Sequence, residues 1–174
     1  MIRKTSLIVG LLAGFLFVAG LMISYEMGIA SLGSFLTWYT WLPVIFIVVL
    51  AGAWYIRTRS AEPLDLKPML QYALLAYFLY ELIYAGANYY LFAFKDRELN
   101  NKLVEYLWQN SAKQMAEKGA GKDQIEAAAE LANSARVPLT FMQILIGFGQ
   151  NMILHFIKSV IIATITKQKT HKQS

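Results

Sequence analysis

Residues 69–94 read MLQYALLAYFLYELIYAGANYYLFAF, 26 positions with a single charge, Glu81. A helix rises about 1.5 Å per residue, so this run spans a hydrocarbon core of about 30 Å. Three more apolar runs of 19, 22 and 28 residues accompany it: Leu7–Tyr25, Phe35–Ile56 and Leu139–Thr166. The fourth also holds one charge, Lys158. Backbone groups in lipid must be satisfied within the segment, so the runs predict four transmembrane helices. A β-barrel needs alternating segments of about 10 residues, and the sequence has none.

Composition agrees. The 174 residues are 57% hydrophobic and 16% charged, and the mean hydropathy is +0.43. Soluble domains have about 25% charged residues. The net charge of +5 therefore reads as membrane topology rather than nucleic-acid binding, for which there is no motif. The absence of cysteine excludes disulfides, thiolate metal sites and a cysteine nucleophile.

Lysine and arginine set the orientation. Arg3 and Lys4 precede the first run. Arg57, Arg59 and Lys67 lie between the second and third, and Lys167, Lys169 and Lys172 follow the fourth. With Lys158 these nine bases face Glu62 and Asp65 only. Both termini and the middle loop are expected in the cytoplasm, where bases are also drawn to anionic headgroups. The first loop, 26–34, has no base. Trp38, Tyr39 and Trp41 at one end of the second run, and Trp54 and Tyr55 at the other, read as interfacial belts. The first run exceeds the 7–15 apolar residues usual in a signal peptide, so it is expected to remain as an anchor.

Residues 95–138 differ in composition, with seven bases and seven acids. Leu99, Leu103, Leu107 and Met115 form one helical stripe, and Ile125, Ala128, Ala129, Ala132 and Ala135 form another. Gly119-Ala120-Gly121 separates the two, and Asp123 with Glu126 suggests a capping box. The expectation is a two-helix extramembrane hairpin, leucines against alanines, acting as a cap for a protein partner or as a packed spacer. Pro138 is placed to open the last span.

This layout resembles the bacterial membrane family catalogued as domain of unknown function 4199. The points of resemblance are the aromatic exit of the third run (Tyr89, Tyr90, Phe92, Phe94), the glycine turn, Pro138 and the basic tail, clearest from Lys67 to Lys169. Members usually carry a serine just before the second hairpin helix; Gly121 stands there, so no role for that serine carries over. The resemblance implies a four-span protein of the bacterial cytoplasmic membrane and brings no catalytic residue.

Polar groups at membrane depth are costly and mark functional candidates. Tyr77, Glu81, Tyr84 and Asn88 fall within an arc of roughly 40–60° on the third span. Gln143, Gly147, Gln150, Asn151, His155 and Lys158 fall within roughly 140° on the fourth. Glu81 and His155 both lie 11 residues from the inner ends of their spans, roughly 16 Å deep, so they should meet. Lys158, one turn shallower, joins them or snorkels. The pair serves either as glue between helices or as a proton or cation path. Ser6, Gly10 and Gly14 form a small-residue face expected to pack within the bundle, with Gly20 off it, and Pro43 should kink the second span.

Enzyme signatures are missing: no HExxH, GxSxG, phosphate loop or dinucleotide fingerprint is present. No cofactor or metal site is expected. The sequence thus indicates an all-α, four-span bundle with an extramembrane hairpin, forming one non-enzymatic membrane domain. Its leading role is scaffolding or partner binding through the 95–138 cap. The alternative is a small proton- or ion-coupled transport component that uses Glu81 and His155.

Overall fold

The computed structural model describes every residue except Leu42, Glu62, Pro138 and residues 168–174; the side chains of Thr40 and Trp41 are also left undescribed. The expectations placed on Pro138, Glu62, Lys169 and Lys172, and the belt role of Trp41, lie outside the described residues. The described residues are all-α: α1 (Ile2–Glu26), α2 (Ile29–Trp41), α3 (Val44–Arg59), α4 (Leu66–Asn88), α5 (Leu99–Glu117), α6 (Lys122–Ser134) and α7 (Phe141–Thr166). A π-helical segment, Tyr89–Lys95, continues α4.

Two helices, α1 and α7, are long and apolar enough to cross a membrane. A third candidate is α2 with α3, bent by 48° at their junction if taken as one span. The bend follows from Pro43, which precedes α3 and cannot continue a helical hydrogen-bond ladder. α4 has 23 residues, but Gln71, four tyrosines, Glu81 and Asn88 lower its apolar character, so it is not among those candidates.

α4 is the central element, with α1 on one side and α7 on the other. The α1–α4 approach depends on small residues. A Cβ at Gly10 would stand 2.6 Å from the Ala76 carbonyl oxygen, and one at Gly14 would stand 2.6 Å from the Ile83 side chain. Ser6 on the same face is fully buried. The small-residue face therefore packs within the bundle, and Gly20 lies against Phe35 of α2 instead.

Two apolar clusters fill the interior. One, toward the α3–α4 loop, joins Val9, Val49, Ala53, Tyr72, Tyr77 and Ile162. The other, toward the α1–α2 turn, joins Phe17, Leu21, Leu32, Tyr80, Leu91 and Leu99. Tyr39 belongs beside the second cluster, where its hydroxyl donates to that of Tyr80 at 3.0 Å. Its reading as an interfacial aromatic is corrected: it points inward.

α5 and α6 are separated by a Schellman turn. Gly119 has φ +77°, and the amides of Gly119 and Ala120 donate to the carbonyls of Ala116 and Met115. The leucine stripe meets a different surface from the one expected. Leu99 and Leu103 are buried with α1 and α2, and Leu103 and Tyr106 lie against Gly33. α6 has no buried residue and is tied on by the Arg136–Glu105 ion pair next to it. In addition, Asn100 donates to the carbonyls of Ala135 and Val137, at 3.1 and 2.8 Å. The Asp123–Glu126 capping box does not form, because the helix starts at Lys122 and Gly121 occupies the cap. A capping box forms instead at α7, between Thr140 and Gln143. Lys95 at the end of the π segment pairs with Glu26 at 3.0 Å, and this hydrogen bond raises the lysine's pKa above its ordinary value.

Candidate intramembrane site

Glu81 lies at the boundary of the two apolar clusters, 1% exposed. Both carboxylate oxygens are occupied by α7. Asn151 Nδ2 donates to Oε1 at 2.8 Å, and His155 Nε2 lies 3.0 Å from Oε2. Asn151 and His155 are four residues apart, so one helical face presents both to a single acid. The equal depth read from the sequence is realised as direct contact.

The histidine is held on every side. Tyr77 stacks on its ring with centroids 4.5 Å apart and planes 15° apart, and Tyr80 meets it edge-on at 5.9 Å. Ser159 Oγ donates to the His155 carbonyl at 2.7 Å. With Nε2 facing the carboxylate, Nδ1 is buried without a protein hydrogen-bond partner, and so is the Tyr77 hydroxyl. A neutral imidazole has one accepting nitrogen, so Nδ1 is open to a bound water or a proton.

Two cavities meet at this centre, with Glu81, Tyr84 and Asn151 lining both. The first, about 290 Å³, runs toward α5 and is also lined by Asn88, Asn100 and Gln143. The second, about 340 Å³, extends past Tyr39 and Pro43 to His155 and Lys158. Toward the α3–α4 loop the dry cluster around Tyr72 and Ile162 closes the interior.

The residues predicted from spacing fall into three groups. Glu81, His155 and Asn151 form the bonded centre, with Tyr77 stacked on it. Tyr84 and Asn88 line the first cavity, although the Asn88 amide donates to the Tyr84 carbonyl at 2.8 Å. Lys158 lines the second cavity and is exposed; among the described residues the groups hydrogen-bonded to the acid are Asn151 and His155. Gln143 and Gly147 line the first cavity, and Gln150 is exposed. Spacing alone missed Tyr80, Tyr39, Ser159 and Asn100. Tyr80 is adjacent to Glu81 but off its seam, and Asn100 comes from α5, a helix read as remote from the membrane.

A family model described as "Protein of unknown function (DUF4199)" matches residues 4–168. The chain belongs to that family. The DUF4199 match spans α1 to α7 and takes in the whole Glu81–Asn151–His155 centre. No curated protein and no solved structure matches the chain.

Proposed function

We propose that this DUF4199 protein is a small proton- or ion-coupled transport component of the bacterial cytoplasmic membrane, with Glu81 and His155 as its proton-binding centre. In this reading α1, the bent α2–α3 pair, α4 and α7 are four spans, both termini are cytoplasmic, and α5 and α6 lie outside. The observation that supports it is that Glu81, paired to His155, forms part of the wall of two cavities. Glue between helices needs the hydrogen bonds but neither the cavities nor an unpartnered imidazole nitrogen. On this reading the apolar cluster toward the α3–α4 loop lies on the cytoplasmic side of Glu81, and passage requires α3, α4 and α7 to part there.

Purified protein in liposomes carrying a pH-sensitive dye is expected to move protons, and Glu81→Gln should abolish the movement. Flux equal to that of empty liposomes, or unchanged in Glu81→Gln, overturns the proposal. Partner binding by α6 is a second reading, supported by Leu131, which is 73% exposed on a helix with no buried residue.

A further inference from the structure

On the α5 side of Glu81 the α4–α7 interface is loose. Gly86 and Gly147 would meet nothing within 4 Å of an added Cβ, whereas Gly10 and Gly14 permit none. Phe78 meets Phe148 edge-on at 6.0 Å at one limit of this region, and Tyr89 meets Phe141 at 5.9 Å at the other. Two cavities adjoin here, one with amides and a carboxylate in its wall and one almost wholly apolar, sharing Ala85, Ile144 and Phe148.

The first is the polar cavity that ends on Glu81, with Asn88, Asn100, Gln143 and Asn151 around it. The second, about 310 Å³, is lined by Leu82, Gly86, Tyr89, Phe141, Leu145 and the three shared residues, with scarcely a polar atom. Leu82, Phe141 and Leu145 are more than half exposed on the bundle surface, so in a membrane this groove faces acyl chains. A crevice that offers amides and a carboxylate on one side and apolar side chains on the other is complementary to an amphiphile rather than to a water-soluble ion. The sign of the head group follows from the wall: among the described residues Glu81 is the only carboxylate or base that lines this cavity. A positive head is attracted there and a negative one repelled.

We propose that the α4–α7 crevice admits, from the bilayer, a single-chain amphiphile with an amine head group. The ammonium lies in the polar cavity toward Glu81, among the amides of Asn88, Asn100 and Gln143, and the alkyl chain lies in the groove beside Gly86 and Phe141. This rests on the reading of the chain as membrane-embedded with Glu81 as its working group. It names the class of ligand for that group.

The test is binding of radiolabelled dodecylamine to the full chain in phosphatidylcholine nanodiscs, with empty discs subtracted. The expected result is saturable binding of one amine per chain. Dodecanol, which lacks the charge, and ethylamine, which lacks the chain, should each compete at least about tenfold more weakly. Glu81→Gln should weaken binding by about tenfold or more, as a lost charge-assisted contact does. Gly86→Phe, which fills the groove, should weaken it similarly while the disc-embedded protein keeps its melting temperature. Binding no greater than in empty discs overturns the proposal. So does equal competition by dodecanol in the wild type, a comparison that needs no variant to fold. Proton flux without amine binding overturns this inference alone, whereas loss of both removes the transport reading too.

Discussion

Glu81 has two bonded partners, Asn151 and His155, both on α7, and Tyr77, one turn before it on α4, stacks on the imidazole. Removing one member of a buried pair leaves the other uncompensated, at a cost of about 3–5 kcal/mol, while an apolar replacement of both is often neutral. Glu81→Leu alone should therefore lower the melting temperature in detergent markedly. On the proton-carrier reading, Glu81→Leu with His155→Leu should melt near the wild type or above it. A double variant that melts as low as the single one would make the pair structural glue. This centre was largely legible in the sequence. Depth and a 3–4 spacing located Glu81, Asn151, His155 and Tyr77, because costly polar groups in apolar runs stand out. Tyr39 was not, because an aromatic near a span end looks the same whether it faces headgroups or the core. Lys158 shows the limit of depth as a guide, which gives a height along the helix but not an azimuth precise enough to choose between pairing and exposure.

Among the elements, the α1–α4 contact depends most on single positions. Gly10 has the Ala76 carbonyl oxygen where a Cβ would go, and backbone cannot move aside as a side chain can. Gly10→Val should separate the helices and destabilise by about 1–3 kcal/mol or more, read as a lower melting temperature in detergent. Gly147→Ala, in open space, should change little. At the start of α7, Thr140→Ala removes the side-chain oxygen that accepts from the Gln143 amide, and should cost about 0.5–2 kcal/mol in the same assay. The break at Pro43 and the small-residue face of α1 could be read from local chemistry. What covers the leucine stripe of α5 could not: a stripe shows that something must cover it, not which neighbour does. The missing cap at Asp123 has a similar cause, since a two-residue shift in where the helix begins removes the geometry a capping box needs.

At the scale of the whole molecule, the order of helices and the placement of bases predict which face meets which compartment. The protein has no cysteine, so single introduced thiols report cleanly. In intact cells Ser134→Cys, at the end of α6, should react with a membrane-impermeant maleimide. Ser60→Cys, between α3 and α4, should react only after the membrane is opened. The reverse pattern would invert the topology and place the open cavity toward the cytoplasm. The count of spans was less legible than their positions. α4 has so many tyrosines and amides that its apolar character falls short, and these are the residues that build the site. A proton carrier at Glu81 requires its buried carboxylate to gain and lose a proton while the protein stays folded. Infrared difference spectroscopy of the protein in lipid, stepped between acid and alkaline buffer, reads this directly. A protonated-carboxyl band should appear and vanish reversibly in the wild type and be absent in Glu81→Gln. No band assignable to Glu81 across the range in which the protein stays folded would mean a fixed ion pair, and would contradict the account.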